Sequence, residues 1–306
     1  MNLFELQAAY NAGTINKHQY IDEMHGLHSQ LFDYAEFFKT TDIARIEISD
    51  GKVILETRDA GIKILCDKAD KRIAPMEILN FGPYEKDDSD LIFRLLENHM
   101  SIFDIGANIG WYSLNFAKAF PNATIYAFEP IPATYGYLQA NIGLNGSTQI
   151  QAHNFGFSDH DGELTFYFDP NGSGGASSVD LQGKGVVQKL VCKIERLDAF
   201  VEKTDARVDF IKCDVEGAEL FMFSGGIETL KKFKPIIFTE MLRKWAAKFN
   251  YHPNQIIELL SGLGYRCFVG REGKLVAFQS MDENTLETNF FFLHPDAHAA
   301  KIQALT

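Results

Sequence analysis

Asp104-Ile105-Gly106-Ala107-Asn108-Ile109-Gly110 is followed, nineteen residues after Gly110, by Glu129. Residues 101–105 read as a strand, 109–120 as a helix and 123–129 as a second strand that ends on the acid. A glycine turn between strand and helix, with an acid at the next strand's end, is how an open α/β sheet holds a nucleoside-like cofactor. Gly106 and Gly110 are expected to let backbone approach that ligand without a Cβ in the way. The helix starting near Ile109 is expected to offer it free N–H groups and a partial positive charge.

The spacing of the glycines narrows the cofactor. A dinucleotide fingerprint needs glycine at the first, third and sixth positions of the turn; from Gly106 those last two are Asn108 and Trp111. Lysine follows glycine at 52, 184 and 274, never with Ser or Thr after it, so no phosphate loop of the Walker type is present, and GxSxG and HExxH are both absent. Asp104 would repel a pyrophosphate but can receive the ammonium of an amino-acid tail. Glu129 can accept two ribose hydroxyl hydrogens. Ammonium, carboxylate, ribose and sulfonium together describe S-adenosylmethionine.

Around this centre the strand–helix alternation is regular. Helices are expected at 132–144, 197–203, 218–231 and 253–262, and strands at 149–155, 164–168, 189–194, 208–213 and 235–240. Strands near 265–269, 274–278 and 289–293 lack helices between them, which suggests an antiparallel edge on a mostly parallel sheet. Upstream, Tyr20, Met24, Leu27, Leu31, Tyr34 and Phe38 make a helical stripe over 16–38. It is expected to pack on the main domain, with a dimer contact or a substrate cover as alternatives. Residues 43–66 change to a period of two and read as a small antiparallel element, and helical pattern returns at 88–98. The expected division is an N-terminal segment, 1–85, and a cofactor-binding domain, 86–306. The glycine- and serine-rich stretch 171–178 reads as a surface loop or as a lid.

The 306 residues carry a formal net charge of −12, which disfavours nucleic acid as a partner. No apolar run approaches the ~18 residues that span a bilayer, and no secretory signal is visible, so a membrane partner is not expected. Cysteines at 66, 192, 213 and 267 are dispersed, which suits the reduced thiols of a cytoplasmic protein.

D-I-G-A-N-I-G-W-Y-S-L (104–114), A-F-E-P (127–130) and D-F-I-K-C-D-V-E-G-A-E-L (209–220) resemble the FkbM family of class I methyltransferases, with G-P-Y-E (82–85) and L-D-A-F (197–200) in support. The resemblance covers roughly 80–270, and the D-V-E-G-A-E segment is its specific part. It implies a Rossmann-like α/β fold with a seven-stranded, mostly parallel sheet. It also implies S-adenosylmethionine at the sheet's carboxyl edge and methyl transfer, usually to a hydroxyl of a small polar molecule or glycan. Asp104, Gly106, Asn108 and Gly110 match the family's cofactor turn and Glu129 its ribose acid. Tyr84 and Glu85, which precede the sheet, are expected to close over the cofactor, with simple packing as the alternative.

A hydroxyl nucleophile needs a group to take its proton. Asp214 is expected where the fourth parallel strand ends, Glu216 and Glu219 just after it, and Glu240 at the end of the next strand, all on one rim. The order of preference for the base is Asp214, Glu240, Glu216, with Glu219 facing a helix start instead. Helix capping is the structural alternative. A divalent cation on these carboxylates is a further one, without support from ligand spacing. His153 and His160 are candidate bases more readily explained as packed or surface residues, and His294 and His298 fall in what reads as a disordered tail. A non-catalytic cofactor-binding or assembly protein and a nicotinamide-dependent dehydrogenase are the rival functions. A homo-oligomer through the N-terminal helices stays open.

Overall fold

The structure is a computed structural model and describes residues 1–68, 70, 74–82, 85–168 and 188–306. Its first two helices, α1 (Leu3–Asn11) and α2 (Lys17–Phe37), each start on a capping box, Asn2 with Glu5 and Asn16 with Gln19. Tyr10 stacks on Tyr20 with 4.6 Å between ring centroids. No residue of α2 is buried, so its stripe does not pack on the main domain as expected. α1 folds back over its first half, and Leu31, Phe32, Tyr34 and Phe37 further along stay exposed.

Strands β1 (Ile43–Ser49), β2 (Lys52–Thr57) and β3 (Lys63–Leu65) form the expected small antiparallel sheet. Asp50 and Gly51, at φ 49° and 71°, make the left-handed two-residue turn that a hairpin's twist requires. Helices α3 (Ala74–Phe81) and α4 (Lys86–Leu95) lead into the main sheet. The first was not expected from the sequence; Pro75 in its first turn is compatible with a helix start.

The main domain then runs β4 (Ser101–Ile105), α5 (Trp111–Ala119), β5 (Thr124–Phe128), α6 (Pro132–Asn145), β6 (Ile150–His153), β7 (Gly156–Phe157), β8 (Gly162–Phe168), β9 (Gln188–Glu195), α7 (Leu197–Thr204) and β10 (Phe210–Cys213). It continues with α8 (Glu219–Ser224), α9 (Ile227–Phe233), β11 (Ile236–Glu240), α10 (Arg243–Ala246), α11 (Asn254–Gly262), β12 (Arg266–Arg271), β13 (Lys274–Phe278), β14 (Asn289–Leu293) and α12 (Pro295–Leu305). Eight strands join in the order β13-β12-β14-β11-β10-β4-β5-β6. The five from β11 to β6 are parallel, and β14, β12 and β13 form the antiparallel edge. The sheet has one strand more than the seven expected because the hairpin strand β13 joins its edge. A second small sheet, β7-β9-β8, stands beside it.

Both faces of the main sheet are covered. Phe291 packs into the core on one face, Phe290 and Phe292 into the core on the other, as strand periodicity dictates. The expected helix over 218–231 is two short ones, broken at Gly225-Gly226. A Cβ on Gly225 would lie 2.0 Å from the Ser158 carbonyl oxygen, so close packing on that loop fixes the break. The tail at 294–305 is ordered as α12: His294 accepts from the Asp296 N–H, and the His294 N–H donates to His298 Nδ1. Strand order reverses between β4 and β10, and their carboxyl ends open the crevice where such sheets bind ligands.

Candidate active site

A cleft of about 650 Å³ lies at that reversal. Its floor is the glycine turn after β4. The N–H groups of Gly106 and Ala107 donate to the Phe128 carbonyl at the end of β5, at 3.1 and 2.9 Å. Asn108 sits at φ 51°, and its N–H donates to Glu129 Oε2 at 3.1 Å. The other carboxylate oxygen of Glu129 accepts from the Ile131 N–H at 2.9 Å. Glu129 is 6% exposed and lines the cleft, and burial pushes its carboxyl up to about 7 against those two hydrogen bonds. One side chain thus joins the ends of the turn and of β5 while presenting its remaining lone pairs to the cleft.

Asp104 does not share that position. It is fully buried and absent from the cleft lining. Its Oδ2 accepts from the N–H and the hydroxyl of Ser113, at 3.0 and 2.6 Å. The carboxylate therefore occupies the positive end of α5 that was expected to meet the ligand; its Oδ1, buried without a hydrogen-bond partner among the described residues, lies 3.6 Å from Lys212 Nζ. The glycines have a different reason too. A Cβ on Gly106 would lie 1.8 Å from the Asp214 carbonyl oxygen, and one on Gly110 would lie 2.7 Å from Leu138 Cδ1. Both residues make room for protein, and Gly110 is not part of the lining.

The acidic rim assembles largely as the sequence indicates. Asp214 follows β10, Glu240 closes the adjacent β11, and Glu216 lies in the loop between Asp214 and α8; all three line the cleft. Burial raises the proton affinity of Glu216 and Glu240, and the nearby charge of Asp214 raises it further. Glu219 faces away. Its Oε1 accepts from the Val215 and Gly217 N–H groups at 3.2 and 3.0 Å, and its Oε2 from the Tyr251 hydroxyl at 3.2 Å, so it holds the loop's shape. Glu85 lines the cleft from the start of α4 and accepts from the Tyr112 hydroxyl. Tyr84 and residues 171–178 lie outside the described residues.

His153 is packed among Phe128, Phe155 and Phe200, and burial lowers its pKa; it does not reach the cleft. His160 does, with Nδ1 2.7 Å from Asp159 Oδ1. Sequence reasoning missed Lys212, which lies in a strand whose four residues are all buried. A lysine inside an apolar strand was the available signal. It also missed the aromatic lining residues Trp245 and Phe249, packed against Gly217, with Phe221, and the Phe157-Ser158 segment. Among the described residues no group of three or more His, Cys, Asp or Glu is placed to hold a metal ion, and no helix is long and apolar enough to cross a membrane.

The sequence profile described as Methyltransferase FkbM domain matches residues 104–267, from the start of the glycine turn to β12. The chain belongs to the FkbM methyltransferase family. Its sheet is the class I methyltransferase architecture, Rossmann-like, with the antiparallel edge. Methyltransferase 1 of Beauveria bassiana is 33% identical to this FkbM-family chain over 142 residues, 40% of this chain and 57% of that protein. The 2-O-methyltransferase NoeI of Sinorhizobium fredii is 30% identical over 154 residues, 45% of this chain and 62% of that protein. The matched region thus spans less than two-thirds of either relative. The crystal structure of Methyltransferase FkbM from Methylobacillus flagellatus superposes with a TM-score of 0.41 at 15% identity, covering 74% of this chain and 55% of that one.

Proposed function

We propose that this FkbM-family protein transfers a methyl group from S-adenosylmethionine to a hydroxyl of a small polar molecule or glycan. The observation that carries the reading is Glu129, a buried carboxylate facing the cleft at the end of β5 while it holds the Asn108 N–H of the turn. The residues present fit the cofactor. Glu129 would hold the ribose hydroxyls. Asn108 Oδ1, buried without a hydrogen-bond partner among the described residues, would accept from the amino-acid end. Phe157 and Ser158 would flank the base.

The bound cofactor supplies a methyl on a sulfonium, ready for in-line displacement. The chain's own work is placement and proton removal. Trp245 and Phe249, packed against Gly217 beside the carboxylate rim, would offer the acceptor an apolar wall. Glu216 and Glu240, raised to about 8 and about 9, are strong proton acceptors in their ionised forms, and those forms gain population toward alkaline pH. Asp214, with Oδ2 3.5 Å from Lys212 Nζ, is held in place to serve the same step. The name of NoeI describes oxygen methylation, which supports the choice of a hydroxyl. The division near residue 85 and a cytoplasmic location belong to this proposal, the latter supported by four free cysteines. Incubating the protein and methyl-deuterated cofactor with a cell extract tests the function. A labelled product with the mass of an O-methyl compound is expected; cofactor binding without any labelled product supports the assembly-protein reading instead.

A further inference from the structure

We propose that Lys212 is a positioning residue for the cofactor turn: its ammonium pins the Gly106 carbonyl from beneath and ties the turn to the carboxylates of Asp104 and Asp214. The inference rests on the S-adenosylmethionine reading above. Lys212 lies directly beside Asp104 in the parallel register of β10 and β4. Its side chain is 6% exposed. Nζ donates to the Gly106 carbonyl oxygen at 3.0 Å and lies 3.6 Å from Asp104 Oδ1 and 3.5 Å from Asp214 Oδ2. The Tyr112 ring covers it at 5.5 Å.

A buried ammonium is costly unless fully paired, and a β-branched apolar residue would serve a core strand as well. The charge sits at the strand-order reversal, against the carbonyl of the peptide that begins the turn, and Lys212 is itself part of the cleft lining. Holding the Gly106 carbonyl downward leaves the N–H groups of Gly106 and Ala107 aimed at Phe128, the arrangement that brings Asn108 to Glu129. Asp104 alone would be an uncompensated buried carboxylate, so the Asp104–Lys212 pair also keeps α5 seated through Ser113.

Around Lys212 stand Asp104 from β4, Glu85 before α4, Glu129 after β5, Cys213 on its own strand, and Asp214 and Glu216 in the loop that follows. Burial works against its charge, but Asp214, Asp104 and Glu85 together hold its pKa above the ordinary lysine value. In return its charge favours the ionised forms of Glu85, Glu129 and Glu216. A residue that only fills space would have no such reach.

The test is calorimetric titration with S-adenosylhomocysteine, from mildly acidic to mildly alkaline pH, on wild type, K212M and D104N/K212M. The double variant removes both buried charges, and the carboxamide it places in β4 still accepts from Ser113, so it folds even where K212M does not. In K212M, losing the cation is expected to move the acid limb of binding upward by about one pH unit, weakening affinity about tenfold near neutrality and much less at alkaline pH; the double variant, which also loses the opposing Asp104 charge, is expected to shift less but still to bind more weakly than wild type, having lost the Gly106 contact. Equal weakening at every pH or an unchanged profile in folded K212M, or wild-type affinity in the double variant, overturns the proposal. Reductive methylation of the wild-type chain, read by peptide mass spectrometry, is expected to leave Lys212 unmodified while surface lysines react; modification at the surface rate overturns it whatever the variants do. Wild type that binds no S-adenosylhomocysteine at any pH refutes the cofactor reading itself, a different outcome from a folded variant that binds with the wild-type profile.

Discussion

Gly106→Ala separates two explanations of the glycine turn. If the glycine serves ligand approach, the variant folds normally and loses only binding. The structure gives another answer: φ is +76°, and the new Cβ would lie 1.8 Å from the Asp214 carbonyl oxygen. The left-handed backbone costs an alanine ~1 kcal/mol. The carbonyl must withdraw by more than about 1 Å, an overpacking cost of ~1–3 kcal/mol. That movement strains the Asp214 N–H bond to the Ile105 carbonyl, now 3.0 Å, for ~1 kcal/mol more. The sum, ~3–5 kcal/mol, corresponds to a fall in Tm of about 5–8 °C for a chain of 306 residues. Gly110→Ala meets only the flexible end of Leu138 and is expected to fall by about half as much. Scanning calorimetry of the ligand-free proteins reads both. A Gly106→Ala protein with wild-type Tm and abolished S-adenosylhomocysteine binding would refute the packing explanation.

Glu219→Ala removes the acceptor of the Val215 and Gly217 N–H groups and of the Tyr251 hydroxyl in a buried site, and is expected to cost ~3 kcal/mol in chemical denaturation; Glu219→Gln, which keeps one acceptor oxygen, should cost less. Glu129 and Glu219 each have carboxyls raised to about 7 by burial, so the folded protein binds more protons than the unfolded chain between about 4.5 and 7, and the stability they contribute at low pH is lost as pH rises through that window. Glu216 and Glu240, raised further, extend the loss to alkaline pH, and Tm of the ligand-free protein should decline steadily from mildly acidic conditions upward; a maximum at alkaline pH would contradict the raised affinities. His153→Phe fills the same aromatic pocket without a buried ring nitrogen and should change stability by no more than about 1.5 kcal/mol, with no effect on ligand binding.

The order of strands and helices was legible because the alternation of periods two and 3.6 is strong in a doubly wound sheet. Glu129, Asp214, Glu216 and Glu240 were legible because the ends of parallel strands share one edge. Strand position does not say whether a carboxylate points to the ligand or to the next helix, so the bond from Ser113, two residues into α5, to Asp104 Oδ2 was not legible. The packing role of Gly106 was not legible, since the neighbour that excludes a Cβ there, Asp214, lies more than a hundred residues further along the chain. Lys212 was passed over because a lysine is normally solvated, and only the register with Asp104 reveals the pair. The break at Gly225 depends on a tertiary contact that local propensity does not encode, and α12, capped locally by His294, is also tied to the domain by Lys301 on the Leu95 carbonyl.

Titrating S-adenosylhomocysteine into wild type and Glu129→Gln tests the central claim most directly. Saturable binding by wild type is expected, weakened roughly 10- to 100-fold in the variant, since a ribose hydroxyl would lose a charged acceptor. Equal affinity in both folded proteins, or no binding by wild type, would contradict a nucleoside held by Glu129.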